Sequence, residues 1–311
     1  MSDKRISFSE NSYIFISLCV LVCFFSLATK NFFSLSTLTT ILNQLPALTL
    51  VTIGMTLVLI SGGIDLSVGS IVALSAGVIG IVNTRYGMSL PVAALAGIGV
   101  GACAGLLNGF LGGYCRLPIF IVTLGMLEAA RGMAYLSTGS QTIYMGAAVQ
   151  QLALPWLFGV LSIALITSLI MVVISHWVLT RTVFGRYLIA IGTNPKAAQI
   201  SGIDARPYIL TVLVLSGALA GLGGLMNTAY LGAVDPNAGI GLELSAIAAA
   251  VIGGTSLMGG RGSILGAFIG VLIIAVLQNG LAQMGISEPV KRLVTGGVIV
   301  LAVVLDRWRN N

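Results

Sequence analysis

Gly62-Gly63-Ile64-Asp65-Leu66-Ser67-Val68-Gly69-Ser70 lies between two apolar stretches, Leu45–Ile60 and Val68–Val82, in a chain that is apolar almost everywhere else. A carboxylate among lipid-soluble residues is costly unless it sits at an interface or faces a polar path. Asp65 therefore marks a span boundary or a working site, and its two flanks read as bilayer-crossing segments. The rest of the chain agrees: of 311 residues 57% are hydrophobic and 8% charged, where a soluble domain carries about 25% charged residues. Apolar stretches suited to a hydrocarbon core of ~30 Å run at Tyr13–Ala28, Leu45–Ile60, Val68–Val82, Pro91–Leu111, Pro118–Leu136, Trp156–Leu179, Tyr208–Tyr230, Leu242–Ile252, Ile264–Leu277 and Val290–Leu305. The expected fold is all-α, a polytopic membrane protein of about ten transmembrane helices in one domain covering residues 1–311.

Lys4 and Arg5 precede an apolar run ending Ser26-Leu27-Ala28, the outline of a secretory leader. Another span follows directly, so the run is read as the first crossing. Basic residues then set the orientation. With the N-terminus inside, the inner side receives Lys4, Arg5, Arg116, Arg181, Arg186, Lys196, Arg206, Arg261, Arg307 and Arg309, and the outer side or the spans receive Lys30, Arg85, Arg131, Lys291 and Arg292. Both termini are expected in the cytoplasm. The net charge of +6 thus reads as topology, with no aromatic-interleaved basic patch pointing to nucleic acid. Cys19, Cys23, Cys103 and Cys115 show no metal spacing and are read as small hydrophobes. His176 is the only histidine, so no nucleophile, base and metal set can be assembled, and an enzyme is disfavoured.

One polar insertion interrupts the apolar pattern, Thr180 to Pro207. Within it Asn194-Pro195-Lys196-Ala197-Ala198-Gln199-Ile200 reads as a short helix, with Asn194 as N-cap, Pro195 at the first helical position and Gly202 as the stop. Glycines cluster in two spans, at 97, 99, 101, 105 and 109 and at 217, 221, 223 and 224, a pattern that lets helix backbones approach closely in lipid. Gly254-Thr255-Ser256-Leu257-Met258-Gly259-Gly260-Arg261 imitates a phosphate-binding loop but lacks its Lys-Ser/Thr pair. It shares a faint likeness with the Gly62-Gly63-Ile64-Asp65-Leu66 junction, a hint of an internal repeat.

Four segments together resemble one family. They are Gly63 to Ser70; Phe120-Ile121-Val122-Thr123-Leu124-Gly125-Met126 with Arg131-Gly132; Phe184-Gly185-Arg186 leading to Ala197-Ala198 and Ser201-Gly202-Ile203; and Ala246-Ile247-Ala248-Ala249 through Gly253-Gly254-Thr255-Ser256 to Gly262-Ser263. In this order, from Asn31 onward, they are similar to the permease subunit of bacterial ABC importers for ribose, galactose, arabinose and related sugars. The resemblance implies two permeases, identical or paired, forming a path in the bacterial cytoplasmic membrane. It also implies a separate sugar-type ATPase bound from inside and a periplasmic binding protein that delivers the sugar. ATP then belongs to the partner subunit, and this chain needs no cofactor or metal of its own. The loop implied to dock on the ATPase maps to Asn194–Ile203, with Asn194, Lys196, Ala197, Ala198, Ser201, Gly202 and Ile203, and with Arg186 before it. Lys196 stands where the family commonly has Glu, and Ser245 where an Asp is usual.

The remaining polar residues keep more than one reading. Gly63, Asp65, Ser67 and Gly69 form a span boundary, with Asp65 capping or shaping the loop, or a gating element beside the pore that communicates with the ATPase, or Asp65 touches the sugar directly. Glu128 and Arg131, three apart on a helix, are expected to pair, or to line the translocation path. Asn43, Gln44, Asn108, Asn227, Thr228, Gln278 and Asn279 are neutral hydrogen-bonding groups in or near spans. They suit a sugar path, and they equally suit helix-to-helix bonding. A branched-chain amino acid or nucleoside importer of the same architecture is the alternative, followed by an ion-coupled secondary transporter, which would require mid-span carboxylates.

Overall fold

A computed structural model of the chain describes residues 6–157 and 160–310; Lys4 and Arg5 lie outside the described residues. The first half runs α1 (Ile6–Ala28), α2 (Leu35–Ile60), α3 (Val68–Gly80), α4 (Leu90–Gly109), α5 (Ile119–Thr138), β1 (Ile143–Tyr144), α6 (Ala147–Gln150), β2 (Pro155–Leu157) and β3 (Leu161–Ser162). The second half runs α7 (Ile163–Arg181), α8 (Val183–Thr193), α9 (Pro195–Ile200), α10 (Ala205–Leu231), β4 (Ala233–Val234), α11 (Leu242–Ile252), α12 (Ile264–Gln283) and α13 (Glu288–Asn310). Five-residue π turns, Ile81–Arg85 and Phe110–Tyr114, continue α3 and α4. Apart from the short antiparallel pairings β1–β4 and β2–β3, the fold is helical. Among the described residues seven helical stretches are long and apolar enough to cross a membrane, while Tyr13–Ala28, Val183–Thr193 and Leu242–Ile252 are apolar but shorter.

Local chemistry moves several expected boundaries. α2 starts at Leu35 rather than Leu45 because the Ser34 hydroxyl accepts the Thr37 N–H at 3.2 Å, a side-chain N-cap. The expected span from Trp156 opens instead with the β2–β3 hairpin, and its helix begins only at Ile163, capped by Ser162 on Leu165 N–H. The polar insertion Thr180–Pro207 holds the expected short helix at Asn194–Ile200, and a further helix, α8, before it, since Thr182 caps α8 and Asn194 caps α9.

α10 is the central packing element, and its glycines explain how. A Cβ on Gly101 of α4 would stand 2.3 Å from the Gly217 carbonyl of α10, and one on Gly105 would stand 2.2 Å from the Leu213 carbonyl. Real side chains never approach so closely, so these two helices touch backbone to backbone, as the small-residue pattern foretold.

The two ends of the bundle differ. Ile60 at the end of α2 accepts the Gly260 N–H at 2.9 Å, and Gly192 at the end of α8 is wedged against both. The junctions α2–α3, α8–α9 and α11–α12 therefore meet at one end. At the other end Thr29 bonds Gln283, and Gln283 bonds Thr37, so α1, α2 and α12 are pinned together there.

α11 is the exception to full-length packing. Gly253 faces Gly266, and Ala249 faces Gly270, so α11 runs antiparallel along the first half of α12. Continued, that register carries Leu242 no further than about Leu277. Residues 235–241 fill in above it as loop rather than helix, reaching back from β4 into the body of the bundle.

Candidate functional site

Beside the start of α11 lies a cavity of about 560 Å³, lined by α2, α10, the loop before α11, the first turn of α11, α12 and the start of α13. Its size is that of a small-molecule pocket, and it opens at the end of the bundle opposite α9. Five residues singled out from the sequence converge here: Asn43 and Gln44 from α2, Asn227 from α10, and Gln278 and Asn279 from α12. Three of the lining groups are held by one another. Asn279 Nδ2 donates to Gln44 Oε1 at 2.9 Å, and Gln44 Nε2 donates to Tyr230 Oη at 3.0 Å. Such amides offer donors and acceptors without charge. At the rim Glu288 pairs with Lys291, and Arg292 stands beside them.

The cavity wall on the α5 side is the loop 235–241, whose Gly239, Ile240 and Gly241 face inward. Arg131 Nη1 donates to the Pro236 carbonyl at 2.7 Å and to the Ala238 carbonyl at 2.8 Å, and Tyr135 Oη donates to Asn237 Oδ1 at 2.8 Å. From the α3 side Gly69 comes so close that a Cβ there would lie 2.3 Å from the Gly239 carbonyl and from a Glu243 oxygen. Any side chain at 69 would push the loop into the cavity. Glu243 Oε1 accepts the Gly241 N–H, and the Ser245 hydroxyl donates to the Gly241 carbonyl.

The expected Glu128–Arg131 pair is therefore not the arrangement found. The Arg131 guanidinium turns to two loop carbonyls, while Glu128 is exposed on α5 and makes no close ion pair with it among the described residues. Thr228 also falls outside the cavity: it is fully buried and donates to the Gly224 carbonyl of its own helix. Asn108 joins another cluster. Asp65, wholly buried, accepts from Ser67 N–H at 3.0 Å and Ser67 Oγ at 2.6 Å on one oxygen, and from Ser216 Oγ of α10 at 2.8 Å on the other. Asn108 Nδ2 then donates to Ser67 Oγ at 3.0 Å. Asp65 thus shapes the α2–α3 junction and locks it to α4 and α10; Ser67, not Asp65, occupies the N-cap position of α3. Gly63 packs against Ile119 and Val58 in the same junction.

At the opposite end α9 forms as its capping signals require. Asn194 Oδ1 accepts the Ala197 N–H at 3.0 Å, and Gly202 stops the helix at φ +84°. Ala198 is buried and anchors α9, while Arg186, Lys196, Ala197, Ser201 and Gly202 are exposed and Ile203 is half-buried. The turn imitating a phosphate loop is clamped onto the end of α8, with Gly259 and Gly260 both at positive φ.

Sequence reasoning missed the loop 235–241, Tyr230, Ser216 and the Glu288–Lys291 rim. A signal existed: Asp235-Pro236-Asn237 and Gly239-x-Gly241 are turn residues, and they leave too few apolar residues after them for a full span.

A family model described as the permease component of branched-chain amino acid transport systems matches residues 37–303. The fructose import permease protein of Rhizobium meliloti is 36% identical over 296 residues, 93% of this chain and 82% of its own length. The ribose import permease protein of Escherichia coli K12 is 37% identical over 305 residues, 94% and 92% of the two chains. The D-allose transport system permease protein of the same organism is 36% identical over 306 residues, 94% and 90% of the two chains. No solved structure matches the chain.

Proposed function

The chain belongs to the family of permease components of branched-chain amino acid transport systems, and on that premise we propose that it is the membrane permease subunit of an ATP-driven importer of a sugar, a pentose, hexose or related compound. The relatives named for fructose, ribose and D-allose support that substrate class. The observation that carries it is the cavity, whose five amides match groups that both donate and accept hydrogen bonds, as sugar hydroxyls do. The alternative cargo, a branched-chain amino acid, would want fixed opposite charges, and the Glu288–Lys291 pair at the rim is already closed on itself.

In this reading the protein sits in the bacterial cytoplasmic membrane with about ten crossings, α11 and the loop before it making one of them, and with both termini in the cytoplasm. The cavity faces the periplasmic binding protein and α9 faces the ATPase. A second permease, identical or a paralogue, completes the path. The chain itself hydrolyses nothing: ATP is bound by the partner subunit, and no cofactor or metal is required here.

The test is the ATPase activity of the complex in nanodiscs, with and without a sugar-loaded periplasmic binding protein. Stimulation by a loaded pentose or hexose binder is expected. Ion-driven uptake by this chain alone, with no ATPase association, would overturn the reading in favour of a secondary transporter.

A further inference from the structure

The turn of the α11–α12 junction carries an exposed apolar side chain at its tip. Ser256 N–H bonds the Arg261 carbonyl at 3.0 Å, closing a turn, and Met258 N–H bonds Ser256 Oγ at 3.2 Å at its tip. Met258 is 85% exposed there, beyond the helix ends, whereas its neighbour Leu257 packs against the core. Single exposed apolar residues are ordinary on protein surfaces, but this one sits on a turn fixed against a neighbouring junction. Gly259 and Gly260 are pressed against the backbone of Gly192 and Thr193, and Gly260 N–H is bonded to Ile60.

Thr193 immediately precedes Asn194, the N-cap of α9, so the turn and α9 form one continuous surface. α9 presents its own exposed apolar residue, Ile200, at 88%. Methionine is a soft side chain that conforms to a partner's surface.

Resting on the reading of α9 as the ATPase-docking element, we infer that the turn Ser256–Gly260 is a second contact for the ATPase, with Met258 as the side chain that enters it. The contact gives the ATPase a direct hold on α11, the floor of the cavity, in addition to its hold on α8 and α9.

The test places photoreactive benzoylphenylalanine at position 258, at 200, and at 136 as a control, since Leu136 is 84% exposed at the other end of the bundle. The full-length permease is co-expressed with the sugar-importer ATPase subunit of the same genome, and adducts are identified by mass spectrometry. Permease–ATPase adducts at 258 and 200 but not at 136 are expected. Met258→Asp, at unchanged membrane level, should lower the ATPase co-purified by about tenfold, ~1.4 kcal/mol. An adduct at 200 without one at 258, or full ATPase retention by Met258→Asp, overturns the second contact and leaves α9 docking intact. No adduct at either position overturns both.

Discussion

Replacing Arg131 with methionine keeps the apolar stem and removes the donors that hold the loop 235–241. Two hydrogen bonds, to Pro236 and Ala238, are lost. A hydrogen bond from a charged donor is worth about 1.5–3 kcal/mol net, and the half-buried position of Arg131 argues for the lower end of the summed range, about 3 kcal/mol. The Tyr135–Asn237 bond survives and keeps the loop from detaching altogether. Opening of the loop should therefore become more frequent by about 100-fold, at 1.4 kcal/mol per factor of ten. Amide hydrogen exchange in nanodiscs reads this directly, because Asn237 N–H and Ala238 N–H are bonded within the loop, to Asp235. Their exchange should accelerate by one to two orders of magnitude, while amides at the Gly101–Gly217 contact stay unchanged. Arg131→Lys, able to reach one carbonyl, should fall between. Unaltered exchange at 237–238 in Arg131→Met would refute the tether.

The Gly101–Gly217 contact predicts that Gly101→Leu strongly lowers the yield of folded protein in the membrane, whereas Gly99→Leu, where a Cβ would meet nothing within 4 Å, is neutral in the same expression assay. Asp65→Ala leaves Ser67 N–H, Ser67 Oγ and Ser216 Oγ without their acceptor and should cost about 3 kcal/mol or more; thermal unfolding in detergent that matches the parent would contradict the buried-clasp account. Gly202→Leu combines backbone strain at φ +84°, about 1–2 kcal/mol, with bulk on the docking surface. It should abolish uptake without loss from the membrane, while Gly202→Asn, which tolerates that conformation, should retain part of it; normal uptake by Gly202→Leu would remove α9 from the docking role.

What the sequence discloses here depends on range. Asn194, Pro195 and Gly202 act on their immediate neighbours, so α9 was legible to the residue. The glycine ladder of α4 and α10 was legible as a pattern, although not which glycine meets which. Asn43, Gln44, Asn227, Gln278 and Asn279 could be chosen because amides in apolar helices stand out, but Thr228 and Asn108 stand out equally and lie elsewhere. Only the rotation of each helix about its axis, set by packing, separates the two groups. Arg131 shows the limit most sharply. Its sequence neighbour Glu128 offered an obvious partner, whereas its actual acceptors are backbone carbonyls more than a hundred positions away, and carbonyls have no signature in a sequence.

The shortness of α11 bears on insulation. Its 11 residues measure ~16 Å at ~1.5 Å per residue, about half of a ~30 Å hydrocarbon core. Its second half is rich in small side chains, with Ala246, Ala248, Ala249, Ala250 and Val251 all buried. An importer has to admit its cargo without letting the membrane's ion gradients drain, and in the reading proposed for this chain the short α11 is the stretch of wall where those two demands meet.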